Sequence, residues 1–74
     1  MPRRTPRILL IEDNEDLAFG LQINLEGEGF RVLVAHTLQA ANMALQHTPD
    51  LIVLDLMLPD GNGFDFLRTF SRAR

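Results

Sequence analysis

Three acidic side chains stand directly after two short apolar runs of the chain. Glu12 and Asp13 follow the run 8–11, and Asp55 follows the run 51–54. A short apolar run bounded by turn residues is typical of a strand that is buried on both faces. Open α/β sheets bind ligands in the crevice at the carboxyl ends of their strands. Two such strands lying side by side would gather the three carboxylates in one crevice, which is the predicted functional site.

The elements that must position these acids follow a regular alternation. Apolar runs predict strands at 7–11, 30–35 and 51–55, and helical spacing predicts helices over 15–28, 38–47 and 64–70. The Pro, Asp and Gly residues that follow Asp55 predict a loop. Strands that alternate with helices of this length indicate a parallel sheet with right-handed crossovers, and therefore an α/β fold.

Local signals mark where the first two helices begin and end. Either Asn14 or Asp13 can cap the first helix, and Thr37 can cap the second. Either Gly27 or Gly29 can supply the left-handed residue that ends the first helix. One stripe of the first helix is predicted to face the sheet, and a second apolar flank needs cover from a neighbouring element. The stripe is Ala18, Leu21, Gln22 and Leu25, and the flank is Phe19 and Ile23.

Composition allows one small domain and excludes several classes of protein. The chain has 74 residues, of which 46% are hydrophobic and 23% charged, as in an ordinary globular protein. It has no Cys, which excludes disulfides and thiolate metal sites. No apolar run reaches the roughly 20 residues that span a bilayer, so we expect a cytoplasmic protein without a membrane segment.

Charge is distributed unevenly along the chain. The net charge is −3, but the basic residues cluster at the two ends, while all ten acids lie between them with Arg31. A basic end can indicate nucleic-acid binding, but Arg beside Pro is more simply explained as a solvated tail. We therefore expect residues 1–6 to be a disordered basic tail and residues 7–74 to form the domain. The clustered residues are Arg3, Arg4 and Arg7 at one end, and Arg68, Arg72 and Arg74 at the other.

From Arg7 to about Arg72 the sequence resembles the receiver domain of two-component response regulators. The similarity rests on the acidic pair after the first strand, on Asp55 at the end of the third, and on the segment 57–63, which reads Met-Leu-Pro-Asp-Gly-Asn-Gly. An acidic pair alone would be weak evidence, but the whole set is specific. The resemblance implies a flavodoxin-like (CheY-like) three-layer fold whose strands have the order 2-1-3.

The resemblance also implies what the acids do. Asp55 would be the phosphoacceptor and would attack the phosphorus of a phosphohistidine. Because charge accumulates on the phosphoryl oxygens among clustered carboxylates, the transfer requires a divalent cation. Mg²⁺, or Mn²⁺ in its place, suits an all-oxygen site. By resemblance its direct ligands are Asp13, Asp55 and the backbone carbonyl of Met57, and Glu12 acts through water.

The resemblance implies a partner-binding role for three residues of the first helix, whereas the two histidines have no predicted role in binding. Leu17, Gly20 and Asn24 lie on the helix flank that meets the phosphodonor in this family, although a solvated face is an equally good explanation. The partner on that flank would be a histidine kinase or a phosphotransfer protein. His36 and His47 are predicted to be exposed loop and helix-end residues without a ligand role.

The chain departs from the family pattern because it ends after the third strand–helix unit. A Ser or Thr and a Lys on the later strands of receivers contact the phosphoryl group, and this sequence has no Lys. The third strand would become an unpaired sheet edge, which favours association with another chain. We expect a homo-oligomer, most simply a two-fold dimer. The residues predicted to form its contact are Leu51, Ile52, Val53, Leu54, Phe19 and Ile23.

The leading hypothesis is the N-terminal part of a receiver, a signalling module that assists its own phosphorylation but has no multiple-turnover activity. The alternative is a receiver-derived fragment that takes no phosphate and acts as a dimerisation module. A hydrolase of the aspartyl-phosphate type is less favoured, because Met57 stands where a second Asp usually follows that nucleophile. Receivers commonly precede a DNA-binding domain, and we expect contact with DNA only through such a downstream domain.

Overall fold

Three strands and two helices account for most of the structure, a computed structural model that describes residues 5–54, 57–58 and 61–62. A 3-10 turn follows the second helix, and two very short strands follow the third strand. In chain order the elements are β1 (Arg7–Ile11), α1 (Glu15–Gly27), β2 (Arg31–Ala35), α2 (Leu38–Ala44), the 3-10 turn (Leu45–His47), β3 (Leu51–Leu54), β4 (Met57–Leu58) and β5 (Gly61–Asn62).

The three longer strands form a parallel sheet in the order β2-β1-β3, which confirms the predicted arrangement. In its register, Ile11 at the end of β1 lies between Ala35 of β2 and Leu54 of β3. All three strands therefore end at the same edge of the sheet. This common edge is where the acidic residues leave β1.

The two helices cover opposite faces of the central strand. Leu9 and Ile11 are fully buried in a cluster with Ala41 of α2 and Ala35 of β2. Ile8 and Leu10 point to the other face, because successive side chains of a strand alternate, and both are 1% exposed. Helix α1 also contacts β1 and buries Ala18, so it covers this second face. The result is a three-layer α/β arrangement with β1 as its core.

The helix ends resolve the alternatives that the sequence left open. The Asn14 side chain, and not that of Asp13, caps α1 by accepting the Leu17 N–H at 3.0 Å. Thr37 caps α2 as predicted, since its hydroxyl accepts the Ala40 N–H at 3.1 Å. Gly29 has a φ of 97° and supplies the left-handed residue after α1.

The third strand differs from its prediction. It was expected to be buried on both faces, but Leu51 is 55% exposed and Val53 is 37% exposed. Ile52 and Leu54 are partly buried against the cluster on the α2 face. One face of β3 is thus covered and the other is open. The prediction of burial on both faces is wrong, because α1 leaves this part of its sheet face uncovered.

A set of hydrogen bonds joins the beginnings of β1 and β3. The Arg7 N–H donates to the Asp50 carboxylate at 2.9 Å, and the Asp50 N–H donates to the Arg7 carbonyl at 2.8 Å. The Arg7 guanidinium also donates to the His47 carbonyl at 2.8 Å, at the end of the 3-10 turn. These bonds set where β3 starts beside β1.

Several boundaries shift by a few residues, and some predictions lie outside the described residues. Strand β2 begins at Arg31 and not at residue 30, and the predicted second helix divides into α2 and the 3-10 turn. In the predicted tail, the Pro6 carbonyl accepts the Arg31 N–H at 2.9 Å, while residues 1–4 are not described. The predicted helix 64–70 is also outside the description. No helix among the described residues has the length and apolar character that a membrane span requires.

Candidate functional site

The acidic pair lies at the carboxyl end of the central strand. Glu12 directly follows Ile11 and is half-buried, whereas Asp13 is exposed. The Glu12 N–H donates to the Ala35 carbonyl at 3.0 Å, so pairing with β2 continues one residue past β1. This bond fixes the backbone that carries both acids.

The turn after β1 is closed by the side chain of Glu12. Its Oε2 accepts the Asn14 N–H at 3.2 Å, and Asn14 in turn caps α1. Glu15 and Asp16 occupy the first turn of α1, where the positive end of the helix dipole favours acids. The acidic pair is therefore held between the last residue of β1 and the cap of α1.

His36 contacts the acidic pair, and the prediction that it is an exposed loop residue is wrong. It is half-buried, and its Nδ1 lies 2.9 Å from the Glu12 carbonyl oxygen. Sequence reasoning missed this contact, although the position of His36 directly after β2 could have signalled it. Residues that follow the ends of neighbouring parallel strands meet at the same sheet edge. His47 is exposed, as predicted.

The third predicted acid, Asp55, lies outside the described residues, but the strand that leads to it is described. Leu54, the last residue of β3, is the register partner of Ile11, the last residue of β1. The backbone of Met57, predicted to offer a carbonyl, lies in β4 and pairs antiparallel with Asn62. Within the described part of the chain, no three His, Cys, Asp or Glu residues are grouped so that they could hold a metal ion.

The predicted partner-binding residues are all exposed to solvent. Leu17, Gly20 and Asn24 all lie on α1 and are exposed, with Leu17 at 50%. A Cβ atom added to Gly20 would meet nothing within 4 Å, so the helix surface there is open. This part of α1 is accessible to another protein.

The predicted oligomer contact is also exposed in part. Phe19 is 64% exposed and Ile23 is 51% exposed, and both lie on α1. The open face of β3 adds Leu51 and Val53. Ile52 and Leu54 do not belong to this exposed set because they face α2. We call Phe19, Ile23, Leu51 and Val53 the apolar strip.

An open cleft of about 530 Å³ lies at the other end of the sheet. It is lined by Arg7 and Arg31 at the amino ends of β1 and β2, and by His47 after α2. None of the residues predicted to bind metal or phosphate lines this cleft. The predicted functional site therefore does not coincide with this cleft, and its location is inferred from the chemistry of the acidic pair.

The comparison with known families decides what kind of domain this is. Residues 8–74 match the family model for the response regulator receiver domain. The chain belongs to the response regulator receiver domain family. Receiver domains of this family are signalling modules of two-component systems, and they generally bind Mg²⁺.

Curated relatives of this receiver are bacterial regulators. The chain is 47% identical over 62 residues to the KDP operon transcriptional regulatory protein KdpE of Escherichia coli K12. It is 44% identical over 67 residues to the transcriptional regulatory protein CpxR of the same strain. These alignments cover 82% and 90% of the chain but only 28% and 29% of the two relatives. The chain thus spans less than a third of the length of these regulators.

Solved structures show the same receiver fold. The non-phosphorylated receiver domain of HemR from Leptospira biflexa has a TM-score of 0.85 and 46% identity. The match covers 92% of this chain and 56% of the HemR chain. The MaeR response regulator bound to beryllium trifluoride has a TM-score of 0.83 and 33% identity, with coverage of 93% and 59%. The α/β arrangement described above is therefore that of CheY-like receivers.

Proposed function

We propose that this receiver accepts a phosphoryl group on Asp55 from a histidine kinase or a phosphotransfer protein. The observation that carries the proposal is the pairing of β1 with β3, in which Ile11 lies beside Leu54. The next residue after Ile11 is Glu12, and the next after Leu54 is Asp55. Two neighbouring parallel strands thus end side by side, and in the sequence an acid follows each of them, which suits a shared site.

In the proposed reaction the Asp55 carboxylate attacks the phosphorus of a phosphohistidine. An oxygen–phosphorus bond forms while the nitrogen–phosphorus bond breaks, and the departing imidazole nitrogen keeps the electron pair. Asp13 and Glu12 cannot donate a hydrogen bond to the phosphoryl oxygens while they are ionised. Their part is to hold the cation that offsets the charge of the transferring group.

The donor set fits a hard divalent cation. Carboxylate and carbonyl oxygens are the ligands of Mg²⁺ and Mn²⁺, which commonly keep bound water as well. We propose that Asp13, Asp55 and the Met57 carbonyl bind the ion directly and that Glu12 contacts it through water. When bound, the ion would supply positive charge beside the developing charge of the phosphoryl oxygens.

The likeness to MaeR supports the choice of ligand. That regulator is 33% identical to this chain and was solved with beryllium trifluoride bound. A beryllium trifluoride group attached to a carboxylate oxygen has the tetrahedral shape and the charge of a phosphoryl group. A receiver that takes phosphate on Asp55 is expected to bind the same compound.

The test is incubation with Mg²⁺ and acetyl phosphate, followed by intact-mass measurement. We expect an adduct of one phosphoryl group that disappears in Asp55→Asn and when the metal is chelated. Asp16→Asn is the matched control, because Asp16 is an exposed acid in the first turn of α1 and should leave the adduct unchanged. An adduct that persists in Asp55→Asn would overturn the assignment of the phosphoacceptor.

The apolar strip favours a second candidate function, that of an interaction module. Receiver domains commonly dimerise. In the described part of the sheet, β3 is an edge strand, and its open face places Leu51 and Val53 on the same face of the sheet as α1. Edge strands with exposed apolar side chains tend to pair with other chains. We propose a two-fold dimer in which two strips meet. A stable dimer that forms no adduct would favour this function alone.

The remaining partners are proposed from resemblance and from the exposed surface. The phosphodonor would dock on Leu17, Gly20 and Asn24, which lie on an open part of α1. KdpE and CpxR are called transcriptional regulatory proteins, and the chain covers under a third of each. We propose that DNA contact, if the whole protein makes it, belongs to a downstream domain. The receiver itself would be a cytoplasmic module without multiple-turnover activity.

A further inference from the structure

The peptide between the two acids is held by the end of β2. The Glu12 N–H donates to the Ala35 carbonyl at 3.0 Å, and the Glu12 carbonyl lies 2.9 Å from His36 Nδ1. A carbonyl oxygen only accepts hydrogen bonds, so Nδ1 must carry the hydrogen. The Ala35 backbone and the His36 side chain thus hold Glu12 through hydrogen bonds to its N–H and to its carbonyl. The carbonyl in question belongs to the peptide that links Glu12 to Asp13.

The backbone that carries the His36 ring is anchored on both sides. The residue before it, Ala35, is 2% exposed and pairs in register with Ile11. The residue after it, Thr37, caps α2 with its hydroxyl. Because both neighbours are anchored, the backbone of His36 has little freedom to move. The imidazole is half-buried, which strengthens a hydrogen bond relative to one in open water.

We propose that His36 is a positioning residue for the acidic pair. By holding the Glu12 carbonyl, it orients the following peptide and so keeps the Asp13 carboxylate where a divalent cation needs it. Groups that orient metal ligands in this way commonly change metal affinity by about 10- to 100-fold when they are removed. The inference rests on the proposed metal site of Glu12 and Asp13, and it adds a residue that lies on another strand.

The test compares two replacements of similar size in the full chain. Asn retains a donor on the same branch of the side chain as Nδ1, whereas Leu has no donor. We expect His36→Leu to weaken Mg²⁺ binding about tenfold by calorimetry and His36→Asn to remain within about twofold of the wild type. His47→Leu is the control, because His47 is exposed at the opposite end of the sheet. It should bind Mg²⁺ like the wild type.

The outcomes separate this inference from the proposed function. Mg²⁺ binding that survives Asp13→Asn would overturn the proposed metal site, and the inference with it. Binding that depends on Asp13 but is equal in His36→Leu and the wild type would overturn the inference alone. Equal weakening in the Leu and Asn variants would mean that His36 acts only through packing, and that result also overturns it.

A measurement on the wild type serves if His36→Leu does not fold. The ¹⁵N NMR chemical shifts of the imidazole nitrogens should show that Nδ1 of His36 carries the hydrogen. On addition of Mg²⁺, these chemical shifts should change more for His36 than for His47. A hydrogen on Nε2 alone, or no shift on saturation with Mg²⁺, would overturn the inference.

Discussion

At the scale of single residues, one asparagine caps the first helix and another lies inside it, and the two have opposite effects on helix stability. Asn14 precedes α1, and its Oδ1 satisfies the Leu17 N–H. Asn24 lies inside the helix and is exposed. A capping side chain satisfies a backbone donor that the helix cannot, whereas an interior Asn competes with the helix backbone.

We predict that Asn14→Ala lowers the free energy of unfolding by about 1 kcal/mol. The same substitution at Asn24 should raise it by a few tenths of a kcal/mol, because Ala is the better helix former. Urea denaturation followed by circular dichroism would measure both values. A loss at Asn24 as large as that at Asn14 would contradict the assignment of the cap.

At the same scale, His36 contacts the acidic pair although it is not one of the residues from which the sequence predicted the site. Its hydrogen bond to the Glu12 carbonyl links β2 to the acidic pair. The motif residues themselves were evident from their positions after apolar runs. The contact was not evident, because 24 residues separate its two partners.

At the scale of elements, α1 ends where the chain must adopt a left-handed conformation. Gly29 has a φ of 97°, a region that disfavours any residue with a Cβ atom. Gly20 lies inside the helix, where an added Cβ would meet nothing within 4 Å. The two glycines therefore differ in whether the backbone requires them.

We predict that Gly29→Ala lowers the free energy of unfolding by about 1 kcal/mol. Gly20→Ala should raise it by about 0.5–1 kcal/mol, because it removes the entropy cost of a helical glycine. Thermal and urea denaturation would give both values. Stabilisation by the substitution at Gly29 would contradict the described backbone.

The beginnings of β1 and β3 depend on Asp50. Its carboxylate accepts the Arg7 N–H at 2.9 Å, at an exposed position. We predict that Asp50→Ala lowers the free energy of unfolding by roughly 1 kcal/mol, because the Arg7 N–H at the start of the central strand β1 loses its partner. Asp50→Asn retains an oxygen acceptor and should cost less. Equal losses in the two variants, measured by urea denaturation, would show that charge matters and the hydrogen bond does not.

At the scale of the whole molecule, the apolar strip is the surface that we propose for dimerisation. It combines residues of α1 with the open face of β3, whereas Met43 is a separate exposed apolar residue on α2, 66% exposed. The strip and Met43 lie on opposite faces of the sheet. A contact through the strip would therefore leave Met43 free.

We predict that the wild type forms a dimer in sedimentation velocity experiments and that Val53→Lys forms a monomer. A lysine on an edge strand opposes pairing with another chain, because its charge must then be desolvated. Met43→Lys is the control and should dimerise like the wild type. A folded wild-type monomer at high concentration would contradict the proposed dimer.

The sequence by itself determined the succession of strands and helices along the chain, the cap at Thr37, and the acids that follow β1. These features depend on local patterns: apolar runs, turn residues and side chains that bond to nearby backbone. The identity of the cap remained open between Asn14 and Asp13, because both side chains can accept the same kind of bond.

Only the tertiary structure decided which distant residues meet. The contact of His36 with Glu12, the bonds of Arg7 with Asp50 and the exposure of Leu51 and Val53 all depend on strand register and on what each helix covers. A local pattern states that a residue lies in a strand, but it does not state which residue of another strand lies beside it. Register is set by packing of the whole sheet against its helices.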